Sequence, residues 1–152
     1  EFLERQLRAR GLVSPDDFAL FKVTDDVGDA VEEILAFYSN YHSSRYVRDR
    51  LVIRLREAPD AEQLEALNRD FAGLVREGRI AVCDPLPDEG DELPGHPRLV
   101  LSANRRDVAQ VRLLIDRLNA LVDRRALSPL AASPHEIVPE PLPPGAERER
   151  EA

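Results

Sequence analysis

The period of the hydrophobic residues changes after residue 49, and this change constrains the fold more than any other feature of the sequence. From Arg50 to Arg56, apolar residues alternate with residues that are mostly arginine. A period of two predicts a half-buried β-strand. Asp60 and Gln63 then have the spacing of a capping box, so a helix is expected to begin there, with Gly78 ending it.

Two further strands and one helix follow in the sequence. Arg79–Asp84 and Arg98–Ser102 predict the strands, and Asn104 is expected to cap the last helix. The order strand, helix, strand, strand, helix favours an α+β domain of the ferredoxin-like or ACT-like kind, an open sheet with both helices on one face. A fourth strand could come from His135–Val138 or from a partner chain.

The first 45 residues indicate helices. A helical pattern in residues 1–10 is followed by Gly11, which suits a left-handed C-terminal position. A stronger helix, capped by Thr24, Asp25 and Asp26, is predicted from about 26 to 42, where Val27, Val31 and Ile34 belong to one apolar stripe. We expect this stripe to be exposed in the chain by itself.

Two segments predict irregular structure. Residues 84–97 contain four prolines, two glycines and five acidic residues, which is typical of a solvated loop. Residues 126–152 contain six prolines and end in alternating glutamate and arginine, which is typical of a disordered tail.

Charge and cysteine content exclude several classes of protein. The net charge of -8 disfavours nucleic-acid binding, which needs a basic surface. One cysteine, Cys83, excludes a disulfide framework and fits a reducing, cytoplasmic compartment. No apolar run is long enough to cross a membrane. Because the chain lacks methionine and begins within a helical pattern, we expect it to be part of a longer protein.

Catalytic signatures are absent from the sequence. The seven glycines form neither a dinucleotide-binding fingerprint nor a phosphate-binding loop. His42, His96 and His135 lack the spacing of metal ligands. We therefore assign no catalytic residue, no metal and no cofactor.

The densest cluster of polar and aromatic residues runs from Phe37 to Tyr46. Its ligand-binding candidates are Tyr38, Tyr41, His42 and Arg45, with Arg45 as an anion clamp. The alternative, which we favour, is a helix end whose tyrosines bury their rings and keep their hydroxyls in water.

A stripe of arginines overlaps this cluster and continues along the predicted strand. It could bind phosphate or nucleic acid, but alternation with core residues favours the solvent face of a strand, where arginines would also suit a sheet edge. On that interpretation Arg54→Ala costs less than about 0.5 kcal/mol. Ile53→Ala, a core truncation, costs about 2–5 kcal/mol.

The first third of the chain resembles the LOG ("Lonely Guy") family, long labelled lysine-decarboxylase-like. The resemblance rests on Phe2-Leu3, on Gly11-Leu12-Val13, and on Thr24-Asp25-Asp26 with Asp29-Ala30. These residues match the segment that closes the family's nucleotide-binding domain, although Val27 replaces its proline and Asp29 its glutamate. The resemblance covers residues 1–56 well and 57–125 more loosely, like the longer bacterial members.

The resemblance implies a Rossmann-like, usually dimeric enzyme that hydrolyses the N-glycosidic bond of nucleoside 5′-monophosphates, including cytokinin forms. Residues 1–45 would then be the end of that domain and 46–125 an appended domain. The family motif Pro-Gly-Gly-x-Gly-Thr-x-x-Glu is absent here, so the nucleoside monophosphate would bind outside this chain and the chain itself would not be catalytic. The alternative is a non-catalytic ACT-like module for regulation or dimerisation, which binds a small ligand.

Overall fold

The computed structural model describes residues 3–89 and 93–122, which form a mixed α+β structure around a four-stranded antiparallel sheet. The elements are α1 (Val27–Phe37), β1 (Tyr41–Val47), β2 (Arg50–Leu55), α2 (Ala61–Asp70), β3 (Val75–Cys83), β4 (Arg98–Ala103) and α3 (Val108–Asn119). Shorter helical turns lie at Leu3–Arg8, Asp16–Leu20 and Pro87–Glu89.

The strands lie in the order β1-β2-β4-β3. Because β4 pairs antiparallel with both β2 and β3, those two strands run parallel to each other and α2 is the crossover between them. The predicted order of elements from residue 50 is confirmed. The fourth strand of this sheet is β1, which precedes β2; His135–Val138 lies outside the described residues.

The predicted helix from 26 to 42 is wrong in its last turn. Helix α1 ends at Phe37, and β1 begins four residues later and pairs with β2. The side-chain oxygen of Asn119 accepts hydrogen bonds from the backbone amides of Asn40 and Tyr41, at 3.0 and 2.8 Å. These long-range hydrogen bonds direct the chain out of the helix, and the local period of apolar residues does not predict them. The proposed boundary at 45/46 falls inside β1.

Side-chain caps begin two of the helices as the sequence predicts. The Asp26 carboxylate accepts from the Asp29 amide at 2.8 Å. Asp60 and Gln63 form a reciprocal capping box, with hydrogen bonds of 2.8 and 2.9 Å. The cap predicted at Asn104 is wrong, because α3 begins only at Val108.

The predicted end of α2 at Gly78 is also wrong. The helix ends at Asp70, and Gly78 lies within β3 with φ of +72°. The pairing of β3 with β4 is irregular between Glu77 and Ala81. A glycine suits a bulge here because it adopts positive φ without the steric penalty of a side chain.

One face of the sheet, the helix face, packs against α2 and α3. On the two central strands it presents cross-strand pairs such as Ile53 with Leu99. Its buried residues are Leu51, Ile53, Leu55, Leu67, Leu74, Ile80, Leu99, Leu101, Ala103, Leu114, Ile115 and Leu118. At the end of α2, the Asn68 amide group bonds both backbone polar groups of Ile80, at 2.8 and 2.9 Å, which fixes the helix to the edge strand β3.

The opposite face, the loop face, is covered by the segment that follows β3. Val47, Val52 and Val100 form a small apolar cluster there, against which Leu86 and Cys83 pack. The expectation of a solvated loop is therefore wrong for part of 84–97, because Leu86 is half-buried and Glu89 is 3% exposed. The interpretation of β2 as a strand with a solvent face is also wrong. The segment after β3 covers that face, and β2 is a central strand.

Helix α1 lies beside α3 and buries none of its residues fully. Arg112 of α3 bonds Glu33 at 2.9 Å and lies over the Phe37 ring, 4.7 Å from its centroid. The other side of α1 carries the predicted apolar stripe, and its exposure is confirmed, with Val27 79% and Ile34 59% exposed. No helix in the described ranges is long and apolar enough to cross a membrane.

Candidate functional site

A row of four side-chain positions crosses the middle of the loop face. The strand register aligns Ser43 of β1 with Arg54 of β2, Arg54 with Arg98 of β4, and Arg98 with Cys83 of β3. Like charges that lie directly opposite each other on neighbouring strands repel. The two arginines at the centre of this row therefore require an anion close to both.

Glu89 supplies that anion from the helical turn Pro87–Glu89. Its Oε1 accepts from Arg54, from Nε at 3.2 Å and from Nη2 at 3.0 Å. Its Oε2 accepts from Arg98 Nε at 3.3 Å and from the Leu86 amide at 3.0 Å. The side chains of Glu89 and Arg98 are 0% exposed and that of Arg54 is 6% exposed, so this arginine–glutamate cluster is excluded from water.

Arginines also hold the backbone of the covering segment. Arg45 of β1 donates to the carbonyl oxygens of Glu89 and Asp88, at 3.3 and 3.5 Å. Arg98 Nη1 donates to the carbonyls of Leu93, at 2.7 Å, and His96. The segment is thus attached on both sides of residues 90–92 by cations that belong to the sheet.

The electrostatics of the cluster follow from this arrangement. Burial alone would raise the pKa of Glu89, but the hydrogen bonds from the Leu86 amide and Arg98, with the charge of Arg98 and the bond from Arg54, lower it below its ordinary value. Burial, followed by the charges of Arg56, Arg98 and Arg54, lowers the pKa of His96. The carboxylate is therefore held ionised, and the neighbouring imidazole is held neutral.

An open cavity of about 440 Å³ lies beside the end of the row, where β3 meets the covering segment. It is lined by Val82, Cys83, Asp84, Pro85, Pro94, Gly95, His96 and Pro97. Burial, with the charges of Glu89 and Asp84, raises the pKa of the Cys83 thiol. A thiol held protonated is a poor nucleophile, so the cavity offers access to the row and no thiolate chemistry.

A second open cavity of about 550 Å³ lies on the other side of the sheet, between the end of α2 and the bulge of β3. Glu65, Asn68 and Arg79 are among its lining residues. The Asn68 side chain already bonds Leu64 and Ile80, and Glu65 pairs with Arg79. Its polar side chains thus serve the packing of α2 against β3.

The four predicted ligand-binding residues are divided between the two faces of the sheet. An irregularity between Tyr41 and Ser43 places Tyr41 opposite Leu55 on the helix face, where its ring lies 5.0 Å from Phe37 and 5.9 Å from Tyr38. His42 contacts His96, with ring centroids 4.6 Å apart, and Arg45 reaches the covering segment.

His42 and Arg45 thus lie near the arginine–glutamate cluster, and the tyrosines do not. The interpretation of the tyrosines as the packed end of a helix is wrong in its secondary structure, because Tyr41 belongs to β1. A ligand-binding role for any of the four residues stays a prediction.

The sequence patterns did not reveal the central members of the cluster, Glu89 and Arg98. Arg98 carried one signal, since it opens a predicted strand whose next three residues are all apolar. Glu89 carried none, because it is one of five acidic residues in a proline-rich segment. Within the described ranges, no group of three histidine, cysteine, aspartate or glutamate side chains is arranged to hold a metal ion.

Comparison with known proteins gives no match. No protein-family model matches the chain, and neither a curated protein nor a solved structure shows significant similarity to it. Function therefore has to be argued from the residues and the fold.

Proposed function

We propose that this chain is the C-terminal part of a LOG-like protein that hydrolyses the N-glycosidic bond of nucleoside 5′-monophosphates. In this proposal α1 closes the Rossmann-like nucleotide-binding domain, and the sheet is an appended ferredoxin-like or ACT-like domain without catalytic residues. The observation that carries the proposal is the exposed apolar side of α1.

The start of α1 supports the resemblance on which the proposal rests. The matched residues Thr24, Asp26 and Asp29 form one hydrogen-bonded group: the Asp26 amide donates to Thr24 Oγ1 at 3.1 Å, and the Asp29 amide donates to Asp26 Oδ1 at 2.8 Å. In the family, a similar acidic sequence begins the last helix of the nucleotide-binding domain. The resemblance therefore coincides with an observed helix start.

The exposed side of α1 supports a covering domain. Val27, Val31, Ile34 and Tyr38 recur at helical spacing and are all about half exposed or more. Contiguous apolar surface of this kind marks an interaction site. The occupant we propose is the nucleotide-binding domain, because the resemblance assigns α1 to it.

The appended domain is assigned a non-catalytic role. Its helix face is filled by apolar side chains, and the charged groups of its loop face are engaged with one another. We further propose a cytoplasmic homodimer. The single cysteine supports the compartment, and the resemblance supports the dimer.

The test is an assay of the full-length gene product with nucleoside 5′-monophosphates. We expect release of free base and ribose 5-phosphate by the full-length protein and none by the 152-residue chain. A full-length protein that lacks this activity with a panel of nucleotides would contradict the proposed enzyme.

Two matched variants test the covering of α1 separately from catalysis. Ile34→Ala is expected to change the free energy of unfolding of the 152-residue chain by less than about 0.5 kcal/mol, because the side chain is already exposed. In the full-length protein the same change is expected to cost about 2–5 kcal/mol, as a core truncation. Glu32→Gln, on the flank of the stripe, is the control and should have little effect in either. Equal effects of Ile34→Ala in both proteins would show that α1 stays uncovered.

A further inference from the structure

The loop face of the sheet contains the elements of an anion-binding site. Arg54 and Arg98 are aligned as a cross-strand pair on two central strands, so rigid backbone sets the separation of their guanidinium groups. Their common partner, Glu89, is not part of the sheet and reaches them from the segment after β3. The cluster therefore has two distinct parts. The arginine pair belongs to the sheet, and the acidic side chain reaches the pair from outside the sheet.

We propose that Arg54 and Arg98 form a binding site for the oxyanion of a small phosphate or carboxylate compound, and that Glu89 occupies this site in cis. Guanidinium groups recognise carboxylate and phosphate with the same planar arrangement of donors. Glu89 shows the required geometry, since each of its oxygens accepts from a different arginine. This inference is independent of the proposed nucleotide hydrolysis.

In the described part of the segment, the contacts that hold the Glu89 turn to the sheet come mostly from arginines. In the segment before it, Leu86 is the half-buried residue, whereas Asp84, Pro85, Pro87 and Asp88 are exposed. The Leu86 amide also donates to the carboxylate and would be released with it. An external oxyanion that replaces Glu89 therefore displaces one short turn, together with its bonds to Arg45, and leaves the helix face of the sheet unchanged.

The cavity beside the arginine pair and the cations around it support the same assignment. The cavity of about 440 Å³ opens next to Cys83, which is the register neighbour of Arg98. Arg45 also reaches this region from β1. The charges of Arg56, Arg98 and Arg54 help to lower the pKa of His96, so these cations act on that ring with Glu89 in place.

The decisive variant is Glu89→Gln, which removes the charge of the internal occupant. Asp88→Asn is the matched control, since it makes the same change in net charge at an exposed residue of the same turn. Inorganic phosphate is titrated into each protein at constant ionic strength, and heat of binding is measured. We expect Glu89→Gln to bind phosphate at least about tenfold more tightly than the wild type, with Asp88→Asn unchanged. Adding Arg98→Gln to Glu89→Gln should abolish the gain.

Succinate in place of phosphate separates the two sources of the oxyanion. A gain for phosphate alone assigns a phosphate site, and a gain for succinate alone assigns a carboxylate site. Binding by Glu89→Gln that equals that of Asp88→Asn for both compounds would overturn the proposal.

Hydrogen exchange of the wild-type chain provides a measurement that does not depend on the variant's folding. The Leu86 amide donates to Glu89, so displacement of Glu89 by phosphate or succinate should speed its exchange, whereas chloride at equal ionic strength should not. If Glu89→Gln does not fold and this amide is unchanged by both oxyanions, the proposal is wrong.

Discussion

The two faces of the sheet differ in chemistry although they are buried to the same degree. Ile53 and Leu99 form a cross-strand pair on the helix face, and the next pair along the same strands is Arg54 with Arg98 on the loop face. All four residues are 5% exposed or less. The first pair is stabilised by the removal of apolar surface from water, and the second by ion pairs with a carboxylate that both arginines share. The two pairs are therefore equally buried but are expected to respond to different kinds of mutation.

The largest effect is expected from the loss of that carboxylate. Glu89→Gln leaves two buried guanidinium groups without their common anion, and breaking a buried ion pair in this way costs about 3–5 kcal/mol. Urea denaturation measures the loss. Asp88→Asn is the control, since its partner Arg48 and its own side chain are exposed. If the two variants lose the same stability, the loop face does not depend on Glu89.

The helix face is tested at the neighbouring residue. Ile53→Ala removes fully buried methyl and methylene groups and should cost about 2–5 kcal/mol in the same titration. Val31→Ala, at a half-exposed position of α1, should change the free energy of unfolding by less than about 0.5 kcal/mol. A small loss for Ile53→Ala would mean that the helix face is loosely packed, which would reverse the comparison between the faces.

Most of the pH dependence of stability should come from the loop face, because Glu33 on α1, whose pKa is also lowered, is more exposed to water. Because the pKa of His96 is lowered on folding, the unfolded chain binds more protons as pH falls through 6.5, and stability declines. Because the pKa of Glu89 is lowered too, its contribution is present above pH 4.5 and is lost as pH falls through the lowered value.

Two variants assign these slopes. From pH 7 to 5, thermal stability should decline less steeply for His96→Asn than for the wild type. Below pH 4.5, Glu89→Gln should lose less stability than the wild type, and the remaining loss includes Glu33, whose pKa the bond from Arg112 lowers. Slopes that match the wild type in both variants would place the titrating groups elsewhere.

The smallest effect is expected at the exposed end of the same segment. Arg48 pairs with Asp88 at 2.9 Å, but its side chain is 78% exposed, so water screens the interaction. Arg48→Ala should change the free energy of unfolding by less than about 0.5 kcal/mol. A loss as large as that of Glu89→Gln would show that the covering segment is held mainly at its surface.

Arg54 shows that the alternating sequence pattern is misleading for the loop face. Its alternation with apolar neighbours is the pattern of a solvated strand face, and the expected loss below 0.5 kcal/mol for Arg54→Ala followed from it. The structure contradicts that interpretation, because the side chain is buried against Glu89, 35 residues later in the chain. Alternation reports which residues share a face, and it does not report what covers that face.

Residues 38–47 show a second limit. The apolar period of α1 continues through Tyr38 and Tyr41, so local sequence favoured a longer helix. Asn119, about 80 residues away in the chain, holds the amides of Asn40 and Tyr41 and the carbonyl of Phe37, and the chain turns into β1. Among the predicted binding residues, this turn and the irregularity after Tyr41 separated the tyrosines from His42 and Arg45.

The sequence alone determined the order of strands and helices after residue 50, the caps at Asp26 and Asp60, and the apolar stripe of α1. Each of these features depends on residues that are a few positions apart in the chain. Only the tertiary structure decided the place of β1 at the sheet edge and the convergence of Arg54, Glu89 and Arg98. The contact of one carboxylate with two cross-strand arginines is an electrostatic interaction between residues that are far apart in the chain, and the periodicity of neighbouring residues does not predict it.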